Sequence, residues 1–192
     1  MLKKPEVDSN HPLRVLFRHA IHYGFKVNPL EKKGVEHYLE EQILCEFISM
    51  ENLYKINNDK GEIVSDVADM LAEGDVMMNA NSFDREFEVH KHIGDYTLFM
   101  LGMFPAALNE KNGKEFLLGR ILVPDSQLSE QYVLQGRRSY SIASEFTDSE
   151  LFAELSENFV LYSNVLNIVR IYLVTCAEKE IMKRNNNIGC TD

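Results

Sequence analysis

Leu98, Phe99, Met100, Leu101, Met103 and Phe104 lie almost consecutively in the chain, and wound as a helix they cover every direction of the wheel. A helix with no polar face has nothing to offer water, so the rest of the chain must wrap it, and a multi-helix fold is the expectation. The apolar run 96–108 that contains these residues is much shorter than the roughly 20 residues a bilayer span needs. The other long apolar run, 159–176, is interrupted by Asn164, Asn167 and Arg170. Both are read as core helices.

Periodicity supplies the wrapping elements. Pro12 opens a first helix in which Leu13, Leu16, Phe17, Ala20 and Ile21 recur at helical spacing until Gly24. A second helix begins at Pro29 or Gly34 and carries one stripe, Val35, Tyr38, Leu39, Ile43, Phe47, Met50 and Tyr54, ending before the turn cluster 57–61. A third, shorter helix covers Ile63 to Ala72 and stops at Gly74; a fourth runs from Ser82 to Met103 and is halted by Pro105. A minor strand or hairpin is expected near 116–123, then a fifth helix over about 126–146. Thr147 and Glu150 have capping-box spacing, which predicts the start of a sixth helix reaching Lys183. The predicted fold is all-α: one compact bundle of about six helices across 1–192, with flexible tails at 1–10 and 185–192.

One core is enough for 192 residues of which 45% are hydrophobic and 26% charged. Thirty acidic against twenty basic side chains give a formal charge of -10, which argues against nucleic acid or an anionic membrane surface as partner. Cys45, Cys176 and Cys190 are odd in number and widely spaced, so neither a disulfide framework nor a zinc ribbon is indicated. The amino-terminal stretch has no apolar segment of signal-peptide length, and a reducing, cytoplasmic setting is the expectation. Cys45, among Leu44, Phe47 and Ile48, reads as an inert packed thiol.

Polar residues on apolar faces are the candidate functional groups. In the fourth helix Glu88, His92 and Asp95 fall within an arc of about 60° that continues into the apolar half. A polar belt at the edge of the core is one reading; a carboxylate–histidine–carboxylate set for a metal ion or proton transfer is the other. Arg170 lies on the inward stripe of the sixth helix, and because a buried guanidinium needs a carboxylate, Asp95 before Glu88 is its expected partner, with Asn167 and Ser163 beside the stripe as additional ones. Tyr132, Gly136, Ser139, Tyr140 and Ala143 share a face of the fifth helix, read as close helix packing, with a ligand slot edged by the two tyrosines as the alternative.

His19 and His22, at i and i+3, allow one metal ion to bridge them, but two ligands do not make a site. His90 and His92 point about 200° apart on a helix and cannot chelate together. Glu-x-x-His, the paired motif of di-iron bundles, does not occur, nor do the phosphate-binding glycine loops, the nucleophile elbow or His-Glu-x-x-His. No cofactor is indicated by motif.

The segments 92–99 (HIGDYTLF), 102–105 (GMFP), 136–140 (GRRSY) and 166–170 (LNIVR) resemble a pattern found in uncharacterised bacterial proteins. The resemblance covers the last half of the chain and implies a bacterial, cytoplasmic, helical protein, with no activity attached. Two function classes follow from the residues. The first is a soluble helical binding module without catalysis, acting on a protein partner or a small ligand, with a homo-oligomer compatible with either. The alternative is a metal-dependent or acid/base enzyme using Glu88, His92 and Asp95, with Tyr140 and Arg170 orienting a substrate.

Overall fold

The computed structural model describes residues 11–29, 34–58, 60–75, 80, 82–109, 115–118, 121–124 and 127–188, with side chains to 184 in the last helix, and over these the chain is all-α. The tail expected at 1–10, and residues 189–192 of the tail expected at 185–192, lie outside the described residues. Helix α1 is Pro12–Val27; α2 is Val35–Tyr38 and continues without a break into a π-helical segment, Leu39–Cys45, and a 3-10 turn, Glu46–Ile48. Short α3 (Met50–Leu53) and α4 (Val67–Gly74) lead to α5, Phe83–Met103, followed by a single turn, α6, Pro105–Asn109. Strands β1 (Glu115–Leu118) and β2 (Ile121–Pro124) form an antiparallel hairpin where the minor strand was expected. Helices α7 (Leu128–Ala143), α8 (Ser149–Glu157) and α9 (Phe159–Ile188) complete the bundle.

Helix α5 is the axis. Ser82 caps it, its hydroxyl accepting from the Arg85 amide at 3.2 Å, and every residue from His92 to Phe99 is buried. The enclosed stretch begins earlier than the apolar composition of 98–104 suggests, and Phe104 is 49% exposed. Helices α4, α7 and α9 and the π segment pack around α5, while α1 lies across α9 and the π segment. Glycines set the closest approaches: a Cβ on Gly102 would sit 2.3 Å from Leu166 Cβ of α9, and one on Gly136 of α7 2.3 Å from the Phe159 ring. The face Gly136, Ser139, Tyr140 and Ala143 is buried as close packing requires, with Tyr132 half-buried against Tyr96.

Several boundaries differ from the sequence expectation, each for a local reason. Helix α1 passes through Gly24, which serves as the contact where Val165 and Val169 of α9 come within about 3 Å of its missing side chain. The single second helix is replaced by the α–π–3-10 run. Val35, Leu39, Ile43 and Phe47 are spaced four apart and all buried; a regular α-helix advances about 40° over each such step. A π segment, bonded to i+5, turns less per residue and keeps the four on one face. Helix α4 starts at Val67 because Asp66 caps it, accepting from the Ala68 amide at 2.7 Å, and Ile63 stays outside, 68% exposed.

The long sixth helix is two helices. Asn158, at φ -105° and ψ 24°, separates α8 from α9, and its amide side chain donates to Glu154 Oε1 at 2.8 Å, where the Tyr162 hydroxyl also donates at 2.6 Å. Thr147 does not form the capping box; the residue before α8 is Asp148, in the left-handed region at φ 46°. At the far end α9 continues as helix to Ile188, through the first part of the stretch expected to be a tail. The stretch Phe159–Arg184 is long and apolar enough to cross a membrane by length and composition, and about 33% of its most apolar window is buried. Its first half faces the core through Phe159, Tyr162, Val165, Leu166 and Val169.

Candidate functional site

Two groups of polar side chains stand out: a buried cluster centred on Asp95 and an open cleft between α1 and α2.

Asp95 is 2% exposed. The Tyr38 hydroxyl donates to its Oδ1 at 2.6 Å, the Tyr140 hydroxyl to the same oxygen at 2.8 Å, and Lys91 Nζ to Oδ2 at 2.8 Å. Lys91 reaches back one turn along α5 and also lies over the Tyr38 ring, 5.3 Å from its centroid. Three elements, α2, α5 and α7, thus meet on one carboxylate. Burial, and after it the Asp95 charge, hold both phenols protonated well above the usual tyrosine range. Lys55 is pushed down by burial first and by neighbouring Lys91 second. Both oxygens of Asp95 are engaged by the protein itself.

His92 is wholly buried one turn before Asp95. Its Nε2 lies 3.2 Å from the Leu53 carbonyl, so the proton sits on Nε2, and its buried Nδ1 has no hydrogen-bond partner. Burial, then Lys55, lowers its pKa to about 4. His90, on the other side of α5, contacts Ser139 Oγ at 3.3 Å and is likewise lowered to about 4, by burial and then Arg138.

The expected trio does not converge. Glu88 has a side chain 55% exposed and pairs with Arg85 at 3.4 Å; Asp95 is spoken for by Tyr38, Tyr140 and Lys91, and His92 by the Leu53 carbonyl. Arg170 is not the partner of Asp95: its Nε and Nη2 both donate to Asn167 Oδ1, at 3.1 and 2.9 Å, on its own helix. A partly buried arginine one turn from an asparagine is satisfied locally, so of the partners the stripe offers it is Asn167, and not a carboxylate, that holds it. Tyr140 is in the cluster, but with its hydroxyl turned to Asp95 rather than to a slot. Cys45 is only half-buried and stands outside the hydrophobic core; burial nevertheless raises its thiol pKa. Tyr38, Lys91 and Lys55 were missed. Lys91 sits at i, i+4 from Asp95, a legible signal; Tyr38 lies 57 residues away, on the apolar stripe of its own helix.

The cleft has a volume of about 600 Å³ and is lined by Arg18, His19 and His22 of α1 and by Gly34, Glu36, His37 and Glu40. At one end Arg18 Nε donates to the buried carboxylate of Glu40 at 3.0 Å; at the other His22 Nδ1 lies 3.4 Å from Glu36 Oε1. Next to the first pair, Arg14 and Glu41 make a second bridge from α1 to the π segment. No hydrogen bond or ion pair among the described residues engages the side chain of His19 or His37. Among the described residues no group of three or more His, Cys, Asp or Glu side chains could hold a metal ion. No family model, curated protein or solved structure matches the chain.

Proposed function

We propose that this chain is a non-catalytic binding module whose ligand is a small polar molecule or ion taken up in the cleft between α1 and the α2–π segment. The carrying observation is the contrast between the two polar groups. The Asp95 cluster is buried and engages its own members, whereas the cleft presents the accessible imidazoles of His19, His22 and His37 in a concavity of ligand size. The π segment on its wall supports the same reading, since π-helical turns occur frequently at functional sites. The enzyme alternative finds less support, because Glu88 faces Arg85 and solvent while Asp95 and His92 are enclosed.

Amide resonances of the full chain, followed while a panel of small polar ligands and ions is added, test this. Shifts concentrated at residues 18–22 and 34–40, and abolished by Arg18→Ala combined with Glu36→Ala, are expected. Shifts centred on 91–96, or turnover of any panel member that depends on His92, would overturn it.

A further inference from the structure

We infer that the ligand of the cleft is a free α-amino acid, its carboxylate on the Arg18 guanidinium and its ammonium on the Glu36 carboxylate; the inference rests on the reading of the cleft as the ligand site. Two rungs join the helices there. Arg18 donates from Nε to Glu40 Oε1 at 3.0 Å, and His22 Nδ1 lies 3.4 Å from Glu36 Oε1. Arg18 and His22 are one turn apart on α1, so the rungs are separated by about 6 Å along that helix. Arg18 and Glu36 stand on opposite helices and on successive rungs, diagonally across the cleft.

Both charges keep an open side. The Glu40 carboxylate is 8% exposed and holds Arg18 through Nε, whereas the Arg18 side chain is 54% exposed and its terminal nitrogens donate no hydrogen bond among the described residues. A guanidinium anchored in this way still offers a planar pair of donors, which matches a carboxylate. Glu36 is 46% exposed, and 3.4 Å from His22 is long for a hydrogen bond, so its carboxylate can take a donor from the ligand. Charge then separates the ligand classes. Arg18 and Glu40 cancel and Glu36 adds a negative charge, so a simple anion is repelled, while a simple cation leaves the open edge of Arg18 unmatched. A ligand that carries both charges satisfies both groups. Spacing sets its length. An α-amino acid keeps its ammonium nitrogen and carboxyl carbon about 2.5 Å apart, and with a charge-assisted bond of about 2.8 Å at each end it bridges groups about 6 to 8 Å apart. A dipeptide adds about 3.5 Å when extended. The cleft, of about 600 Å³, leaves room for the amino acid's side chain beside His19 and His37.

Calorimetry of the full chain with each of the common free amino acids tests this, followed by the amino-acetylated and carboxamide derivatives of whichever binds. Binding that shifts the amide resonances of 18–22 and 34–40 is expected, with each blocked derivative weaker by about tenfold or more, the loss expected of a hydrogen bond between charged groups. Glu36→Gln should remove the advantage of the free amino acid over its acetylated form. Arg18→Gln, which can still donate to Glu40, should do the same for the carboxamide, and Glu88→Gln on α5 should change neither. Circular dichroism checks that the variants keep their helices; the blocked derivatives test the unmodified protein, so a variant that fails to fold leaves the test intact. An acetylated form that binds as well as the free amino acid, or discrimination unchanged in folded Glu36→Gln, overturns the assignment. If no amino acid binds while other small polar ligands shift residues 18–22 and 34–40, only the choice of ligand class is lost; if nothing binds, the cleft reading goes with it.

Discussion

Tyr140 and Asp95 are joined by a hydrogen bond of 2.8 Å where α7 crosses α5, and the residue before Asp95 makes that contact possible. A Cβ on Gly94 would lie 2.6 Å from both Cδ1 and Cε1 of the Tyr140 ring. Adjacent positions on α5 thus act on one tyrosine, Gly94 by leaving room for its ring and Asp95 by accepting from its hydroxyl.

Gly94→Ala sets two effects against each other. Alanine in a helix interior is favoured over glycine by about 1 kcal/mol, but overpacking a filled core costs about 1–3 kcal/mol. The Tyr140 ring is fully buried and flanked by Phe152 and Phe159, with centroids 5.9 Å away on each side, so it has little room to retreat. A net loss of about 1–2 kcal/mol is expected in chemical denaturation, and a stabilised variant would contradict the packing described.

Removing a donor from Asp95 should be costly, because hydrogen bonds to a charged group contribute about 1.5–3 kcal/mol. Tyr38→Phe and Tyr140→Phe are each expected to lose stability in that range, since both phenols donate to the same buried oxygen. In the background of Asp95→Asn the loss from Tyr140→Phe should shrink by at least about 0.5 kcal/mol, the coupling typical of residues in one network. Strict additivity of the pair would show that the bond contributes nothing.

Much of this arrangement was legible. Ser82 and Pro105 mark the ends of α5, whereas the all-round apolar run is enclosed only in part: Leu98 and Phe99 are buried, Met100, Leu101 and Met103 half-buried and Phe104 exposed. The inward position of Asp95 and His92 follows from the wheel, and their burial bears it out. Partners were less visible, because a wheel tells which way a residue faces and not which distant residue waits there. Tyr38 reads as one more apolar stripe residue, yet its hydroxyl is a chief ligand of Asp95. Nor does the wheel show that His22 of α1 lies 3.4 Å from Glu36 of α2. The break at Asn158 has neither glycine nor proline to announce it; the hydrogen bonds from Asn158 and Tyr162 to Glu154 form only in the fold.

Arg170 and Asp95 should behave independently. Arg170 is held by Asn167 on the same helix, and Asp95 has three donors of its own. The double variant Arg170→Met with Asp95→Asn is expected to lose the sum of the two single losses to within about 0.5 kcal/mol, as separate sites do. Asp95→Asn should account for most of it. Recovery of stability in the double variant, measured by denaturation of all four proteins, would restore the pairing expected from the helical stripes.

Acid should weaken the fold through His92 before it protonates most carboxylates. The imidazole is enclosed by Phe47, Tyr96 and the Leu53 carbonyl. Protonation would place a second N–H at Nδ1, where no acceptor waits. Its pKa falls from 6.5 to about 4, so between these values the unfolded chain binds a proton that the folded chain refuses. Stability is therefore full above about pH 6.5 and declines as pH falls towards 4, by up to about 1.4 kcal/mol per unit and about 3 kcal/mol in all from this residue. His90, shifted to a similar value, adds a slope of the same sign. Denaturation at a series of pH values should show the decline, and His92→Gln, which can still donate to the Leu53 carbonyl, should flatten it whatever its cost in absolute stability. Nuclear magnetic resonance titration of the His92 ring supplies the independent reading: a midpoint near 4 agrees with an imidazole kept neutral by burial, and one near 6.5 would remove the basis for the effect.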